Sequence, residues 1–374
     1  MIFLDHNATT PICPEALEAM CSAAQQCPGN PGSRHSAGRQ ARRLLEDRRE
    51  EFASLVDANP DEVVFTSGGT ESSNLAIHGL TAGRQGAIAL PQGEHPASEE
   101  PVRRRIKEGC RRLTLPLDPQ GHLVDEALDE LDFSDVILAA SLLAHNETGT
   151  IRDLNRLSEM CREQNIPFHV DAVQAVGKIP VSFHELGATT MSIGAHKFHG
   201  PRGIGVLLVK RRTRLIPLMR GGHQEHGLRP GTEPVALVAG MTAALRAWSQ
   251  TQSNRTATLI QLRDRLQCRL SDLCSPVVIN GDPDHRLPNT LHMAFPGCEA
   301  DALLVAFDLE GICCSLGSAC ASGSTEPSPI LLAMGLSPEV YNSSVRLSLG
   351  IQNTLQEMDE TAPEPDASGR FAEQ

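Results

Sequence analysis

The stretch DLNRLSEMCREQNIPFHVD (residues 153–171) places a helix directly before a strand. Asp153 is suited to cap the helix, and Asn165, followed by an Ile-Pro pair, is suited to end it. The apolar run at 168–170 then has the length of a buried strand, which ends at Asp171. A helix that leads straight into a strand is the repeating unit of an α/β layer fold.

Strand-length apolar runs alternate with helical patterns on both sides of this stretch. They include residues 62–65, 88–90, 136–138 and 206–209. This alternation predicts a mostly parallel sheet covered by helices. Ligands of such sheets gather at the carboxyl ends of the strands, so Asp171 stands where a cofactor is expected.

The pattern changes at about residue 250. A helical stretch rich in Arg, Leu and Gln at 259–273 leads into short strands and glycine-rich turns. A chain of 374 residues also exceeds one comfortable hydrophobic core. We therefore predict a large domain at 13–250 and a small α/β domain made of 1–12 and 251–361. The composition of residues 362–374 predicts a disordered tail.

Composition narrows the class of protein. Hydrophobic residues make up 40% and charged residues 21%, and no apolar run approaches the roughly 20 residues of a membrane helix. The first residues resemble a strand more than a signal peptide, so we expect a cytoplasmic protein whose eleven cysteines are thiols. The net charge of -13 argues against direct nucleic-acid binding, and we interpret the basic cluster at 103–112 as a solvated helix face.

Two segments suggest a bound cofactor. TSGGTES (residues 66–72) follows a strand and opens a helix, which suits an anion cradle, although a plain connection has the same form. GAHKFHGPRG (residues 194–203) places Lys197 between two strands, where a Schiff base with a cofactor aldehyde would remove the cost of holding a lysine. With Asp171 as the acid partner of a pyridine nitrogen, these parts fit pyridoxal phosphate. Each part alone also fits a surface lysine, a strand-end cap or a simple turn.

The ordered motifs resemble those of the cysteine desulfurases, which are fold-type-I pyridoxal-phosphate enzymes of the class V aminotransferase group. The motifs are DHNATTP (5–11), GNP (29–31), TSGGTES (66–72), GEH (93–95), NETG (146–149), HVDAVQ (169–174), HK (196–197) and GSAC (317–320). The resemblance to the family extends from about residue 2 to 350. The resemblance implies the fold-type-I transferase architecture, with a seven-stranded sheet in the large domain.

The resemblance also implies roles for individual residues. Lys197 would hold the cofactor and move protons at the substrate Cα, and His95 would stack on the ring and act as acid or base. Cofactor contacts are implied for Asp171, Gln174, Asn146, Gly69, Thr70 and His196, and for Thr232 toward the cofactor of a partner subunit in a homodimer. Arg346 and Asn30 would bind the substrate, with the planar guanidinium suited to its carboxylate.

Cys320 selects among the reactions open to such a site. It lies among small residues at 317–324, which suits a thiol that must reach the sulfur of L-cysteine and carry a persulfide outward. The resemblance implies release of L-alanine and delivery of the sulfur to an acceptor or iron-sulfur scaffold protein, or to thiolation pathways. Cys320 is also considered as a ligand of a transferred iron-sulfur cluster. No other metal site is predicted, and we interpret Cys313 and Cys314 as packing residues.

Three departures from the family pattern stand out. Gly194 replaces a serine whose hydroxyl would meet the cofactor phosphate, His145 replaces an asparagine, and the chain after residue 352 turns quickly to proline and acidic residues. We expect weaker cofactor binding, little effect from His145 and a shortened last helix. A selenocysteine lyase, another pyridoxal-phosphate enzyme of this fold, and a catalytically silent homologue that binds a sulfur-transfer partner remain as alternatives.

Overall fold

The computed structural model describes residues 1–317 and 327–361, and it has the predicted α/β architecture. Its strands, in chain order, are β1 Ile2–Phe3, β2 Val63–Thr66, β3 Ala87–Pro91, β4 Arg111–Leu115, β5 Val136–Leu142, β6 Phe168–Asp171, β7 Thr190–Gly194, β8 Gly205–Val209, β9 Val278–Ile279, β10 Thr290–Ala294, β11 Ile312–Cys313 and β12 Ser344–Ser348.

The helices cover the sheets and join their strands. They are α1 Pro14–Gln26, α2 Ser36–Leu55, α3 Gly69–Thr81, α4 Pro96–Lys107, α5 Asp125–Asp129, α6 Asn155–Glu163, α7 Val235–Leu273, α8 Ala300–Leu309, α9 Pro329–Ala333, α10 Pro338–Tyr341 and α11 Leu355–Thr361, with 3-10 turns at Pro60–Glu62, Ala195–Lys197 and Glu225–Gly227. Among the described residues, none of these helices combines the length and apolar character needed to cross a membrane.

The main sheet has seven strands in the order β2-β8-β7-β6-β5-β3-β4. β8 pairs antiparallel with β2 and β7, whereas the other pairings are parallel. The strands β2, β3, β5, β6 and β7 therefore end at one edge of the sheet. This edge is where α/β proteins place their ligands, as the sequence predicted for Asp171.

A smaller antiparallel sheet, β12-β10-β9, and the parallel pair β1-β11 lie in the C-terminal part. Its hydrophobic core joins Ile2 and Leu4 to residues of α7, β10, β12 and α11. The larger cores draw on residues 13–248, with Leu287 as an addition. The domain limits at 12 and 250 remain predictions, and α7 runs without a break through the second of them.

Some local predictions need adjustment. Helix α6 begins at Asn155, so Leu154 occupies the cap position, while the Asp153 carboxylate accepts the Asn155 N–H at 2.9 Å. Arg105, in the basic cluster expected to be solvated, is buried because its guanidinium donates to backbone carbonyls of Thr81 and Arg84. Cys314 is half-buried against the small core, in agreement with a packing role, and burial raises its pKa to about 12.

Candidate active site

A cavity of about 180 Å³ lies at the carboxyl edge of the main sheet. Most of the site residues inferred from sequence line it together, namely Gly69, Thr70, His95, Asn146, Asp171, Gln174, His196, Lys197 and Arg346. They come from the ends of β6 and β7, from the starts of α3 and α4, and from β12. Residues separated by more than 270 positions are thus assembled around one space.

Two predicted site residues, Asn30 and Thr232, are not part of this lining. Asn30 is exposed, and its side-chain oxygen accepts the Gly32 N–H at 2.8 Å. Thr232 is exposed on the loop before α7, and its role toward a partner subunit remains a prediction. Cys320 lies outside the described residues.

Lys197 ends the 3-10 turn that follows β7. Its Nζ donates to the backbone carbonyls of Asn7 at 2.5 Å and Ala8 at 2.8 Å. The N-terminal segment therefore holds the amine at the cavity. An amine fixed at the wall of a closed space is placed to form a covalent linkage with a bound carbonyl compound.

Asp171 provides a buried carboxylate at the end of β6. Its Oδ1 accepts the Val173 N–H at 3.0 Å. Burial raises the pKa of Asp171 to about 6, although hydrogen bonds from Val173 and Ser192 and the charge of Lys197 oppose the rise. A cationic heterocycle would stabilise this carboxylate in its ionised form, so the residue suits a protonated pyridine.

The start of α3 is the segment for which the sequence predicts an anion cradle. A Cβ at Gly69 would lie 2.4 Å from Cγ2 of Val173, so a side chain there would force Val173 to move. Gly69 and Thr70 open the helix, where the first backbone N–H groups lack helical partners and favour an anion. His196 also lines the cavity, and its Nδ1 lies 3.2 Å from the Thr9 hydroxyl.

Arg346 supplies a buried guanidinium to the cavity. One terminal nitrogen donates to Asp5 Oδ1 at 2.7 Å and the other to the Asn146 carbonyl at 3.0 Å. Its Nε is buried and has no hydrogen-bond partner in residues 1–317 or 327–361. A small carboxylate is a suitable partner for such a group.

Known proteins resemble this chain in sequence and in fold. A family model described as aminotransferase class-V matches residues 2–360. The cysteine desulfurase IscS of Dictyoglomus turgidum is 40% identical over 365 residues, which covers 96% of this chain and 92% of that protein. The chain belongs to the cysteine desulfurases of the class-V aminotransferase family.

Solved structures of relatives agree with this cysteine desulfurase assignment. A NifS-like protein superposes with a TM-score of 0.89 at 31% identity and covers 96% of this chain and 97% of its own. A structure titled SspA in complex with cysteine gives a TM-score of 0.83 at 29% identity, covering 93% and 99%. The predicted family and fold are therefore confirmed.

His95, which lines this cysteine desulfurase cavity, and His145, which directly precedes Asn146 in the chain, are held as neutral rings. Nδ1 of His95 accepts the Ala97 N–H at 3.1 Å, so the ring proton belongs on Nε2. Burial, followed by the charge of Lys197, lowers the pKa of His95 to about 4. His145 bonds the Gly93 carbonyl at 3.0 Å, and burial lowers its pKa to about 3. The residue that departs from the family pattern thus connects the loop before His95 to the loop that contains Asn146.

Sequence reasoning missed several residues that support the site. The carboxylate of Glu94 is fully buried against the guanidinium of Arg152 and accepts the Leu142 N–H at 2.7 Å, which fixes the loop carrying His95 to the end of β5. Asn7 and Lys178 form a second buried group behind the cavity. Asn7 and Glu94 fall within the quoted motifs, whereas no local pattern distinguishes Lys178.

Proposed function

We propose that this cysteine desulfurase uses pyridoxal phosphate, held by Lys197, and passes the sulfur of L-cysteine to Cys320. The observation that carries the proposal is the single cavity that joins the Lys197 amine, the Asp171 carboxylate and the start of α3. These groups complement an aldehyde, a pyridine nitrogen and a phosphate. None of the other cavities formed by the described residues contains the amine, the carboxylate and the helix start together.

Pyridoxal phosphate, when bound, would supply an electron sink for the bond changes at the substrate Cα. Lys197 would hold it covalently, Asp171 would pair with its ring nitrogen, and Gly69, Thr70 and His196 would receive its phosphate. Gln174 and Asn146 lie on the wall near Lys197, where they would meet the ring hydroxyl. His95, neutral at physiological pH, would stack on the ring and could exchange a proton through Nε2.

The remaining residues would act on the amino acid. Arg346 would bind the carboxylate of L-cysteine, with Asp5 and the Asn146 carbonyl keeping its guanidinium in place. Lys197 would take the proton from Cα. The Cys320 thiolate would then attack the substrate Sγ, so that an S–S bond forms as the Cβ–Sγ bond breaks. The electron pair of the broken bond would stay with the carbon skeleton, which would take up protons at Cβ and Cα and leave as alanine, while the protein keeps a persulfide.

We also propose that the protein works in the cytoplasm as a homodimer and hands its sulfur to a carrier or an iron-sulfur scaffold protein. The exposed position of Thr232 supports the dimer because a residue there can reach a neighbouring subunit. The names of the relatives support the sulfur chemistry and leave the acceptor open. Light scattering should give twice the mass of the chain. A stable monomer with full activity would refute the dimer.

The central experiment measures alanine and sulfide formed from L-cysteine in the presence of a reductant. The purified protein should carry the absorption band of a lysine-linked cofactor, and Lys197→Ala should lose that band, while Lys210→Ala serves as the control at an exposed lysine. Cys320→Ser should lose sulfide release, with Cys298→Ser as the control at an exposed cysteine. Full sulfide release by Cys320→Ser would refute the persulfide step.

A further inference from the structure

Lys178 is a buried lysine to which the chemistry above gives no role. Its side chain follows the turn at Gly177, and only 6% of the residue is exposed. Nζ donates to Gln174 Oε1 at 2.6 Å and to Asn7 Oδ1 at 2.7 Å. It forms no ion pair within the described parts of the chain. A lysine is seldom kept in such a place without a carboxylate, so its two contacts require an explanation.

The lysine anchors the oxygens of two side-chain amides. Burial, together with the charges of Lys197 and Arg346, holds the pKa of Lys178 well below its usual value, but the neutral amine and the ammonium both donate hydrogen bonds. The oxygens of Gln174 and Asn7 face Nζ, and their NH₂ groups donate to the carbonyls of Asn7 and Asn146. Those carbonyls favour the same amide orientation, so removal of Lys178 would not reverse the amides but would remove the bonds that hold their oxygens in place.

The position of the Gln174 amide affects the hydrogen bonds that the cavity can offer to a bound molecule. With its oxygen turned to Lys178, its Nε2 donates to the Asn7 carbonyl at 2.9 Å and keeps a second N–H. Gln174 lines the cavity, so this N–H is available to an acceptor bound there. The residue is thereby fixed as a donor.

The position of Asn7 affects hydrogen bonds of three other site residues, which are Asn146, Arg346 and Lys197. Its Nδ2 donates to the Asn146 carbonyl at 3.2 Å, and the same carbonyl receives Arg346 at 3.0 Å. Its own carbonyl receives Lys197 at 2.5 Å. Asn7 is 1% exposed, so this arrangement has no water to replace a lost bond.

We propose that Lys178 is a positioning residue that anchors the oxygens of the Gln174 and Asn7 amides and so holds Gln174 in place as a hydrogen-bond donor to the cofactor. This role rests on the proposed function. It differs from general core stability because it acts through two identified side chains.

The test is a double-mutant cycle read by pyridoxal-phosphate affinity and by the absorption spectrum of the bound cofactor. Lys178→Met keeps the length of the side chain and removes its donors, so we expect roughly tenfold weaker binding, the effect of one ordinary hydrogen bond. We also expect the pH dependence of the absorption band to shift, since the ring hydroxyl would lose its fixed donor. Lys210→Met, at an exposed lysine, should change neither quantity.

The cycle separates positioning from structure. In a Gln174→Leu background the added change Lys178→Met should weaken binding by less than it does in the wild-type background, because one of the two amides that it anchors is gone. Equal effects of Lys178→Met in both backgrounds, or an unchanged affinity and spectrum, would overturn the inference. A wild-type protein that never takes up pyridoxal phosphate would instead refute the proposed function.

A second measurement covers the case in which Lys178→Met does not fold. The side-chain amide protons of Gln174 in wild-type apoprotein, assigned by their loss in Gln174→Leu, should show stronger nuclear Overhauser contacts to the residues around the Asn7 carbonyl than to the Lys178 side chain, because the amide oxygen faces Nζ. The reverse order of contacts would overturn the inference without any substitution at Lys178.

Discussion

Replacing Gly194 by serine should strengthen cofactor binding. Gly194 ends β7 with φ -127° and ψ 117°, a conformation open to any L-residue. A Cβ there would lie 3.4 Å from Val173 Cγ1 and 3.5 Å from the backbone nitrogen of Gly69, both ordinary contacts. The side chain would leave the same face of the strand as that of Ser192, which hydrogen-bonds Asp171. A serine hydroxyl would thus stand beside the proposed phosphate site.

The expected gain is that of one hydrogen bond to a charged group, about 1.5 to 3 kcal/mol. This corresponds to a dissociation constant for pyridoxal phosphate that is roughly 10 to 150 times lower. The substitution also has a smaller effect on the free energy of unfolding. Replacing a glycine in an extended position restricts the unfolded chain and adds about 0.4 to 1 kcal/mol to that free energy. That second effect does not depend on the cofactor.

Gly194→Ala separates the two effects because it adds the Cβ without the hydroxyl. Both variants should raise the unfolding midpoint of the apoprotein slightly, and only Gly194→Ser should bind pyridoxal phosphate more tightly in a titration followed by absorbance. Equal affinities for the serine and alanine variants would show that position 194 does not meet the phosphate. Weaker binding by both would show that the Cβ does not fit, and the cavity geometry would be wrong.

Three further predictions concern buried ionisable groups in or beside the site, which are Asp171, the Arg152–Glu94 pair and His95. Asp171→Asn should raise the free energy of unfolding of the apoprotein in urea by up to about 3 kcal/mol above pH 6, and by little near pH 4. The reason is that the pKa of Asp171 is about 6 in the folded protein and 3.8 ordinarily, so the buried carboxylate destabilises the fold only as the pH rises between these values. An equal gain at both pH values would contradict this. Arg152→Met should cost about 3 to 5 kcal/mol by leaving Glu94 buried alone, and adding Glu94→Gln should recover part of the loss. His95 should stay neutral with its proton on Nε2 at pH 6 in ¹⁵N NMR, because its pKa is about 4, and a ring titrating near pH 6.5 would refute the assigned environment.

Local sequence signals predicted the part of the site that depends on strand ends. A strand that finishes in Asp171, and a glycine-rich turn that opens a helix at Gly69, are visible within a few residues of the chain. The rule that parallel strands end at one edge then brings them together. The long-range partners of Arg346 could not be found in this way, because Asp5 lies 341 positions away.

Buried polar residues were the hardest to predict. Arg105 and Lys178 follow patterns that usually lie in solvent, a charged helix face and a glycine turn. Arg105 donates to the carbonyls of Thr81 and Arg84, and Lys178 donates to the amide of Asn7, so both are buried against acceptors distant in sequence. Local hydropathy contains no information on such acceptors, so only the tertiary structure reveals them.

The N-terminal segment connects the small core to the main sheet at the cavity. Leu4 packs in the small core, while the Thr10 hydroxyl donates to the His196 carbonyl at 2.9 Å beside the lysine turn. Between them Asn7 hydrogen-bonds Ser348 of the small sheet and receives Lys197 of the large one. A displacement of the small core relative to the main sheet would therefore have to alter the carbonyls that hold the Lys197 amine. The cavity therefore depends on both cores, because neither core alone supplies Lys197 together with the carbonyls that accept its hydrogen bonds.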